Sequence, residues 1–153
     1  MSILYMMGTP IGNLGDLTFR AVEILKEADV LACEDTRETA KILAHYGISG
    51  KRLISCRSAN ERNSSAGIVK LMEEGLSVVY VSDAGSPGIS DPGRILVRGV
   101  RDAGFDVIPV PGVSAVTALV SVCGFPGKGF YFEGFLSPKK GKREKRLKEL
   151  LEG

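Results

Sequence analysis

SVVYVSDAGSPGISDPG, residues 77–93, is the most informative stretch of the chain for its architecture. It opens with an apolar, β-branched run, Ser77–Val81, which predicts a strand buried on both faces. A turn rich in glycine and proline (residues 82–93) follows at once and is much longer than a connection between two elements requires. A buried strand that ends in such a turn is typical of parallel α/β sheets, whose ligands bind at the carboxyl ends of the strands.

Short apolar runs and helical patterns alternate along the rest of the chain, as they do where parallel strands are joined by crossover helices. The predicted strands are Ile3–Met7, Val30–Cys33, Ser77–Val81, Phe105–Val110 and Phe130–Phe135, and Leu53–Ser55 is a further short candidate. The predicted helices are Thr18–Ala28, Thr36–Tyr46, Asn60–Glu74, Arg94–Ala103 and Ser114–Cys123. We therefore expect an α/β fold in which a mostly parallel sheet of about five strands carries helices on both faces.

Composition limits the class of protein. The chain has 153 residues, of which 44% are hydrophobic and 25% charged, and this balance argues against disorder or a fibrous repeat. At this length we expect one compact core. Tryptophan is absent and there are only six phenylalanines and four tyrosines, so binding through a broad stacking surface is disfavoured.

Cysteine and histidine usage excludes several kinds of site. Cys33, Cys56 and Cys123 form no CxxC pair, and a single histidine, His45, rules out a multi-histidine metal centre. Free thiols suit a reducing compartment, so we expect buried cysteines, no metal and a cytoplasmic protein. The uncharged stretch Val107–Gly127 is long enough for a bilayer, but proline and glycine interrupt it, which predicts a strand, a turn and a short helix instead of a membrane span.

Glycine and proline also fill the turns after two other predicted strands. The first turn, GTPIGNLG (residues 8–15), lacks both the GxGxxG spacing and the P-loop lysine, and Pro10 removes an amide that a phosphate cradle would use. A dinucleotide or triphosphate site is therefore disfavoured. The other turn runs from Pro109 to Ala115, where Gly112 permits a close approach of the backbone and Ser114 is a predicted N-cap.

Two carboxylates and an arginine follow the second predicted strand. Glu34 and Asp35 open a helix, where the helix dipole favours acidic side chains, and Arg37 can pair with either. These residues are either a capped helix start only or a group that faces a ligand in the crevice.

Another carboxylate, Asp83, comes directly after the buried strand that opens this section. It is placed to accept hydrogen bonds from a ligand, beside the backbone amides of Gly85 and Ser86, which we expect to be open. Asp91, near the end of the same turn, is expected to cap the following helix.

Taken together, the four turns resemble the tetrapyrrole methylase superfamily. The motifs that carry the resemblance are, in order, GTPIGNLGD (8–16), EDTR (34–37), SDAGSPGISDPG (82–93) and PGVSAVTAL (111–119). Within the superfamily, EDTR and the SDAG…ISDPG loop are similar to the members that methylate RNA of the small ribosomal subunit. The resemblance covers Ile3 to the end of the chain.

The resemblance implies an enzyme domain that transfers a methyl group from S-adenosylmethionine to the ribose 2′-oxygen of a cytidine in 16S ribosomal RNA. It also implies a cofactor cleft between two α/β domains, of which this is the amino-terminal one, and a homodimer for the full-length protein. Carried over by motif, the cofactor-binding residues are Ile11, Asp83, Gly85, Ser86, Ser114 and Ala115. The residues on the substrate side are Thr9, Asn13, Glu34, Asp35 and Arg37.

The implied chemistry is compatible with these side chains. Methyl transfer from a sulfonium is an in-line displacement, so most catalysis can come from holding the acceptor and the methyl group in line. A carboxylate beside the 2′-hydroxyl would act as general base. Asp35 and Glu34 are the first candidates for that role, and Asp83 is an open alternative. S-adenosylmethionine carries no phosphate, which agrees with glycine-rich turns that lack a P-loop lysine.

The last fifteen residues differ in charge from the rest. Residues 139–153 hold seven basic and three acidic side chains, a net charge of +4, whereas residues 1–138 hold 13 basic and 15 acidic, a net charge of −2. We expect residues 1–138 to form the domain with half of the cleft, and residues 139–153 to be a basic linker that begins a truncated second domain. The basic run Lys139–Lys148 either contacts RNA phosphates or is a solvated helix face. With half of the cleft missing, we expect weak cofactor binding and no activity from the chain alone.

Two other functions are left open. One is a methyltransferase of the same superfamily that acts on a tetrapyrrole or corrin precursor, or on a protein histidine. The other is a non-catalytic RNA-binding module that uses Lys139–Lys148, a function that would leave the four elaborate turns without a role.

Overall fold

The computed structural model describes residues 2–152 and contains a sheet of five parallel strands. The strands are β1 (Ile3–Met7), β2 (Val30–Cys33), β3 (Arg52–Ser55), β4 (Val78–Val81) and β5 (Asp106–Val110). The helices are α1 (Phe19–Glu27), α2 (Thr36–His45), α3 (Glu61–Glu73), α4 (Arg94–Asp102), α5 (Ala115–Val122) and α6 (Lys140–Glu152). These elements confirm the predicted α/β fold.

The strand order β3-β2-β4-β1-β5 explains where the helices lie. From β1 the chain steps in one direction to β2 and β3, and it then steps back through β4 to β5. Because crossovers between parallel strands are right-handed, a change of direction also changes the face on which the connecting helix lies. Helices α1 and α2 accordingly pack on one face of the sheet, and α3 and α4 on the other.

The strands contribute to both cores. Along β4, Val78 and Tyr80 contact the α3 and α4 side, whereas Val79 and Val81 contact the α1 and α2 side. All four side chains are buried, because neighbouring residues of a strand point to opposite faces and both faces are covered by helices. A strand of this kind shows a continuous apolar run in the sequence, without the alternation of a half-exposed strand.

One predicted strand, Phe130–Phe135, is wrong: the segment has no regular secondary structure. The free edge of β5, where this segment would have to pair, lacks one hydrogen-bond donor. Val110 O accepts a hydrogen bond from Gly8 N (3.1 Å), so the backbone groups of Val110 point toward β1. Because the backbone groups of successive strand residues point in alternate directions, those of Pro109 point toward the free edge, and proline has no N–H to donate there. Within the segment itself, Gly134 has a φ of 80°, which is incompatible with an extended strand.

Beyond β5, apolar side chains lie at the surface. No residue of α5 is buried, and Leu119, Val122 and Phe125 are 67%, 79% and 84% exposed. Cys123, which follows this helix, is half-buried, whereas Cys33 and Cys56 are buried as expected. No helix within residues 2–152 combines the length and the apolar character needed to cross a membrane.

The basic run forms most of α6, and ion pairs occupy several of its cations. Lys140 lies near Glu144, and Lys145 near Glu149, one turn along the helix. Arg146 makes a two-pronged hydrogen bond to Glu133 (2.6 and 2.9 Å), which lowers the pKa of that glutamate and ties the helix to the preceding segment. The helix has no buried residue, so in this structure it is a solvated face, and its contact with RNA stays a prediction.

Candidate active site

The turns that follow β1 and β4 lead to opposite faces of the sheet, because α1 and α4 lie on opposite faces. This divergence opens a crevice at the carboxyl ends of the strands, the usual ligand site of an open α/β sheet. Thr9 and Gly85 connect the two turns: Thr9 N donates to Gly85 O (2.9 Å), and Gly85 N donates to Thr9 O (3.0 Å). The two walls of the crevice are therefore hydrogen-bonded to each other.

These two hydrogen bonds use backbone groups that the sequence analysis predicted to be available to a ligand. The amide of Gly85 is engaged, so the expectation that it lies open is wrong, whereas the amide of Ser86 has no hydrogen-bond partner within residues 2–152. Thr9 is buried, and its hydroxyl donates to Ser82 O (3.1 Å). The contacts of Thr9 are thus to the protein itself, and its place on the substrate side stays a prediction.

The turns after β1 and β5 touch through two glycines. A Cβ atom on Gly112 would lie 2.9 Å from Gly8 O, and one on Gly8 would lie 3.0 Å from Gly112 Cα. The close approach expected at Gly112 therefore exists, and the backbone that approaches it is that of the first turn. Since both contacts are to main-chain atoms, neither can be relieved by rotating a side chain.

Replacing Gly112 with alanine is expected to lower the free energy of unfolding by about 1–3 kcal/mol, the usual cost of overpacking. The added methyl group would force the two turns apart by a few tenths of an ångström. Urea unfolding followed by circular dichroism measures the change. Gly129→Ala is the matched control, because a Cβ at Gly129 meets no atom within 4 Å. Equal stability of the two variants would contradict the close contact.

Three of the turns enclose a cavity of about 370 Å³ at the strand ends. Five of the six residues carried over as cofactor-binding line it: Ile11, Gly85, Ser86, Ser114 and Ala115. Ile89, Phe132 and Phe135 add an apolar wall, much of which is exposed to solvent. The volume lies in the range of small-molecule sites. A larger groove, of about 670 Å³, runs along α3 and α4 and contains none of the predicted site residues.

Asp83, the sixth residue, lines a neighbouring cavity of about 460 Å³. Ile11 and Ala84 belong to the walls of both cavities, so the two spaces adjoin. Asn13, predicted on the substrate side, lines the same cavity as Asp83, and its Oδ1 accepts the amide of Gly15 (2.9 Å). The structure therefore places the motif residues in two adjacent spaces.

Asp35 and Arg37 form a closed pair at the start of α2. Asp35 accepts the backbone amide of Arg37 (2.9 Å), and the Arg37 guanidinium donates to both of its carboxylate oxygens, at 2.6 Å for the shortest contact. The Arg37 guanidinium holds the pKa of Asp35 well below its usual range. A carboxylate in this state is a weak base, because its protonation would give up the ion pair.

Glu34 has the opposite electrostatic environment. Its Oε2 accepts the amide of Asp83 (3.4 Å), which brings it to the end of β4. Partial burial raises the pKa of Glu34, and the negative charges of Asp83 and Asp91 act in the same direction. The carboxylate of Asp83 in turn accepts the amide of Asp35 (2.9 Å), so the ends of β2 and β4 are linked by both of these carboxylates.

The expectation that Asp91 caps α4 is wrong. The helix begins at Arg94, and its N-cap residue is Gly93, which has no side chain that could cap it. Asp91 instead lines the cavity of about 370 Å³ at the strand ends. Burial raises its pKa, and the negative charge of Asp83 adds to the effect. Within residues 2–152, no three His, Cys, Asp or Glu side chains are grouped so that they can hold a metal ion.

The side chain that caps α4 belongs to a distant residue, Glu61, which the sequence analysis did not identify. Its Oε1 accepts the amides of Gly93 (2.8 Å), Ile95 (2.9 Å) and Leu96 (3.2 Å). The side chain is buried at the start of α3, so one carboxylate joins the starts of two helices. In the sequence it looks like an ordinary acidic residue in the first turn of a helix, and no local pattern shows that it reaches a segment 32 residues away.

Comparisons with known proteins identify the family of the chain. The family described as Tetrapyrrole (Corrin/Porphyrin) Methylases matches residues 3–153. A protein of Neisseria meningitidis serogroup B, named ribosomal RNA small subunit methyltransferase I, is 53% identical over 142 residues, which are 93% of this chain and 48% of the relative. A protein of the same name from Borrelia garinii subsp. bavariensis is 47% identical over 148 residues, 97% of this chain and 66% of the relative.

Among solved structures, the uroporphyrin-III-C-methyltransferase from Thermus thermophilus has a similar fold. The TM-score is 0.62 at 24% sequence identity, and the match covers 82% of this chain and 53% of that one. This likeness concerns the fold alone. The chain spans about half the length of the Neisseria relative.

Proposed function

Because the chain belongs to the tetrapyrrole (corrin/porphyrin) methylase family, we propose that it serves S-adenosylmethionine-dependent 2′-O-methylation of a cytidine ribose in 16S ribosomal RNA. Relatives that are 53% and 47% identical are named as methyltransferases of small-subunit ribosomal RNA, which supports an RNA acceptor. The observation that carries the proposal is the cavity at the strand ends, which collects five of the six residues carried over by motif.

The side chains around this cavity suit the proposed cofactor. S-adenosylmethionine supplies an electrophilic methyl group on a sulfonium. The apolar side chains of Ile11 and Phe132 suit the adenosyl part. The amide of Ser86, which has no partner in the part of the chain that the structure describes, can donate to it. Ser114 occupies the N-cap position of α5, and its hydroxyl makes no capping hydrogen bond within the described residues 2–152. Holding the donor in one orientation against the acceptor is the main contribution that these residues can make to the rate.

We place the second wall of the cofactor cleft outside residues 1–138. The apolar wall supports this, since Phe135 is 85% exposed and Ile89 is 64% exposed beside the cavity. Large exposed apolar patches are rare on monomers and mark surfaces that another part covers. Residues 139–153 would then lead toward the second half, in a cytoplasmic homodimer of the full-length enzyme.

A chimera tests the proposed activity. It joins this chain to the carboxy-terminal part of the Neisseria meningitidis relative that lies beyond the matched residues. We expect it to transfer methyl groups from S-adenosylmethionine to unmodified small-subunit RNA, with 2′-O-methylcytidine as the product in a nuclease digest. The carboxy-terminal part alone is the control and should be inactive.

Other products would contradict the proposal. Methylation of a base atom would exclude the ribose as acceptor. Preferential transfer to a corrin precursor or to a histidine peptide would favour another branch of the family. A folded chimera that transfers nothing to RNA, while its RNA binding disappears when Lys139–Lys148 are neutralised, would favour a binding module.

For the general base we propose Glu34 over Asp35. Both follow β2, but Asp35 is held by Arg37, and its pKa is lowered by that guanidinium. Burial raises the pKa of Glu34 more than the charge of nearby Arg57 lowers it, so its carboxylate takes up a proton more readily. Arg57 donates to the backbone carbonyl of Glu34 (3.1 Å), and the carboxylate itself forms no ion pair within residues 2–152. Asp35 and Arg37 then act as a positioning pair that fixes the start of α2.

A further inference from the structure

A furrow leads from the proposed cofactor cavity toward α3 and α4. Its middle part is a cavity of about 490 Å³ between the turn after β3 and the start of α4, which we call the α4 cavity. On one side it shares Ser90 and Asp91 with the cofactor cavity. On the other side it shares Ile95 and Arg98 with the groove along α3 and α4. The three spaces therefore adjoin, and the furrow begins where the methyl donor is proposed to bind.

Two arginines of α4 line the α4 cavity. Arg94 begins the helix and Arg98 follows one turn later, so both belong to the same face. Arg98 Nε lies 3.7 Å from Asp102 Oδ2 in a largely exposed pair, whereas Arg94 forms no ion pair within residues 2–152. An exposed pair of this kind contributes little to stability. Both guanidinium groups can therefore bind an anion at small cost.

The position of these arginines works against the stability of the helix. Arg94 is the first residue of α4, and the first turn contains no acidic residue. The helix dipole disfavours a cation at this end. The buried carboxylate of Glu61 already accepts amides of the helix start, so the arginine is not needed to complete the cap. Charges placed against a local preference are expected where function requires them.

The other polar groups of the α4 cavity also suit an anion. Ser58 and Ser90 add exposed hydroxyl groups, which can donate hydrogen bonds. Of the two carboxylates on the wall, that of Glu61 is buried and accepts three amides of α4, which compensate its charge. The other, Asp91, lies at the border with the cofactor cavity. The part of the wall away from that border is therefore rich in donors and positive charge.

We infer that the α4 cavity binds backbone phosphates of the RNA strand that flanks the acceptor nucleotide, an inference that rests on the proposed function. The planar fork of a guanidinium matches two oxygens of one phosphate. Arg94 and Arg98 are separated by a helical rise of about 6 Å, so each can bind its own phosphate on an extended strand. A ribose that faces the methyl donor leaves its strand free to continue along the furrow into this cavity.

The basic helix α6 is less suited to this role. Three of its cations are engaged: Lys140 with Glu144, Lys145 with Glu149, and Arg146 with Glu133. A phosphate that bound there would have to compete with these carboxylates. The α4 cavity is therefore the favoured phosphate site, although α6 carries more positive charge in the sequence.

The test measures binding of a fluorescein-labelled single-stranded oligocytidylate RNA to the chain by fluorescence anisotropy over a range of salt concentrations. We expect the double variant Arg94→Gln with Arg98→Gln to raise the Kd about ten-fold and to lower the slope of log Kd against log salt by about 1.4, because two phosphate contacts are lost. The double variant with lysine at both positions keeps the charge and should retain most of the slope.

The matched control removes the same charge elsewhere. Arg20 lies on α1, on the other face of the sheet, and Arg52 begins β3, at the end away from the crevice. We expect Arg20→Gln with Arg52→Gln to leave the Kd within about two-fold of the parent chain. Equal losses in the two double variants would show a general effect of net charge and overturn the inference, as would a parent chain that binds no RNA at low salt.

Two further arms identify the ligand and the surface. Inorganic phosphate, added at constant ionic strength, is expected to leave RNA binding unchanged, and displacement of the RNA by it would assign the α4 cavity to a free anion instead. Lys142→Gln with Lys148→Gln removes two cations of α6 and should have a smaller effect than the α4 variant. Loss of binding in this variant alone would assign the phosphate contact to α6 and overturn the inference.

The proposed function is read separately, from the product of the chimera. A chimera that forms 2′-O-methylcytidine with the same KM for RNA, with or without the Arg94→Gln and Arg98→Gln substitutions, would overturn the inference and leave the proposed function intact. A chimera that transfers no methyl group, while the chain binds RNA through Arg94 and Arg98, would count against the proposed function and support the phosphate site. The two failures are therefore distinguishable.

Discussion

Replacing Glu34 with glutamine in the chimera is expected to lower kcat for RNA methylation by about 10²–10⁴-fold, the usual contribution of a general base. The amide keeps the size of the side chain and an acceptor for the Asp83 amide, but it cannot take up the proton of the 2′-hydroxyl. Asp35→Asn is the matched control, since it removes the neighbouring carboxylate and weakens the pair with Arg37. We expect a smaller loss from it.

The pH profile separates the two carboxylates further. A base acts in its deprotonated form, so the rate should fall as the pH falls through the pKa of Glu34. Burial raises that pKa, and the acid limb should therefore lie at a higher pH than the pKa of an ordinary glutamate would give. The limb should disappear in Glu34→Gln and persist in Asp35→Asn. A profile that loses its acid limb in Asp35→Asn would assign the base to Asp35.

Replacing Glu61 with alanine is expected to lower the free energy of unfolding by about 3–5 kcal/mol, because three amides lose a charged acceptor. Those amides belong to Gly93, Ile95 and Leu96, and the first and last of them are buried. Urea unfolding followed by circular dichroism measures the loss. Glu61→Gln keeps an oxygen acceptor, so its free energy of unfolding should fall clearly less than that of Glu61→Ala.

Glu73→Ala is a control at the other end of the same helix. It removes an exposed carboxylate that has no hydrogen-bond partner within residues 2–152, so its stability should stay within about 0.5 kcal/mol of the parent chain. A Glu61→Ala protein as stable as this control would show that the three hydrogen bonds contribute little.

The sheet and its helices could be predicted because their signals are local. Each inner strand is an apolar run, and Gly47, Gly75 and Gly104 mark three of the helix ends. The aromatic run at Phe130–Phe135 has the composition of a strand, yet whether it becomes one depends on a free edge with complete hydrogen-bonding groups. Such an edge is a property of the assembled sheet, so it cannot be predicted from the sequence of residues 130–135.

For the site, the sequence could predict which turns take part, but not the contacts between their side chains. The motif residues indicated which turns form the crevice, since the carboxyl ends of parallel strands lie at one edge. The division of Asp83 from the other cofactor residues, and the different states of Glu34 and Asp35, depend on contacts between segments about fifty residues apart. Sequence patterns of a few residues do not contain these contacts.

The missing donor on β5 has a further consequence. Pro109 faces outward on the edge strand, so a strand from another molecule that aligned there would find a gap in its ladder. Sheet-to-sheet aggregation of copies through this margin is disfavoured for the same reason. The edge that lies beside the apolar surface beyond β5 is thereby protected against pairing with a strand of another copy.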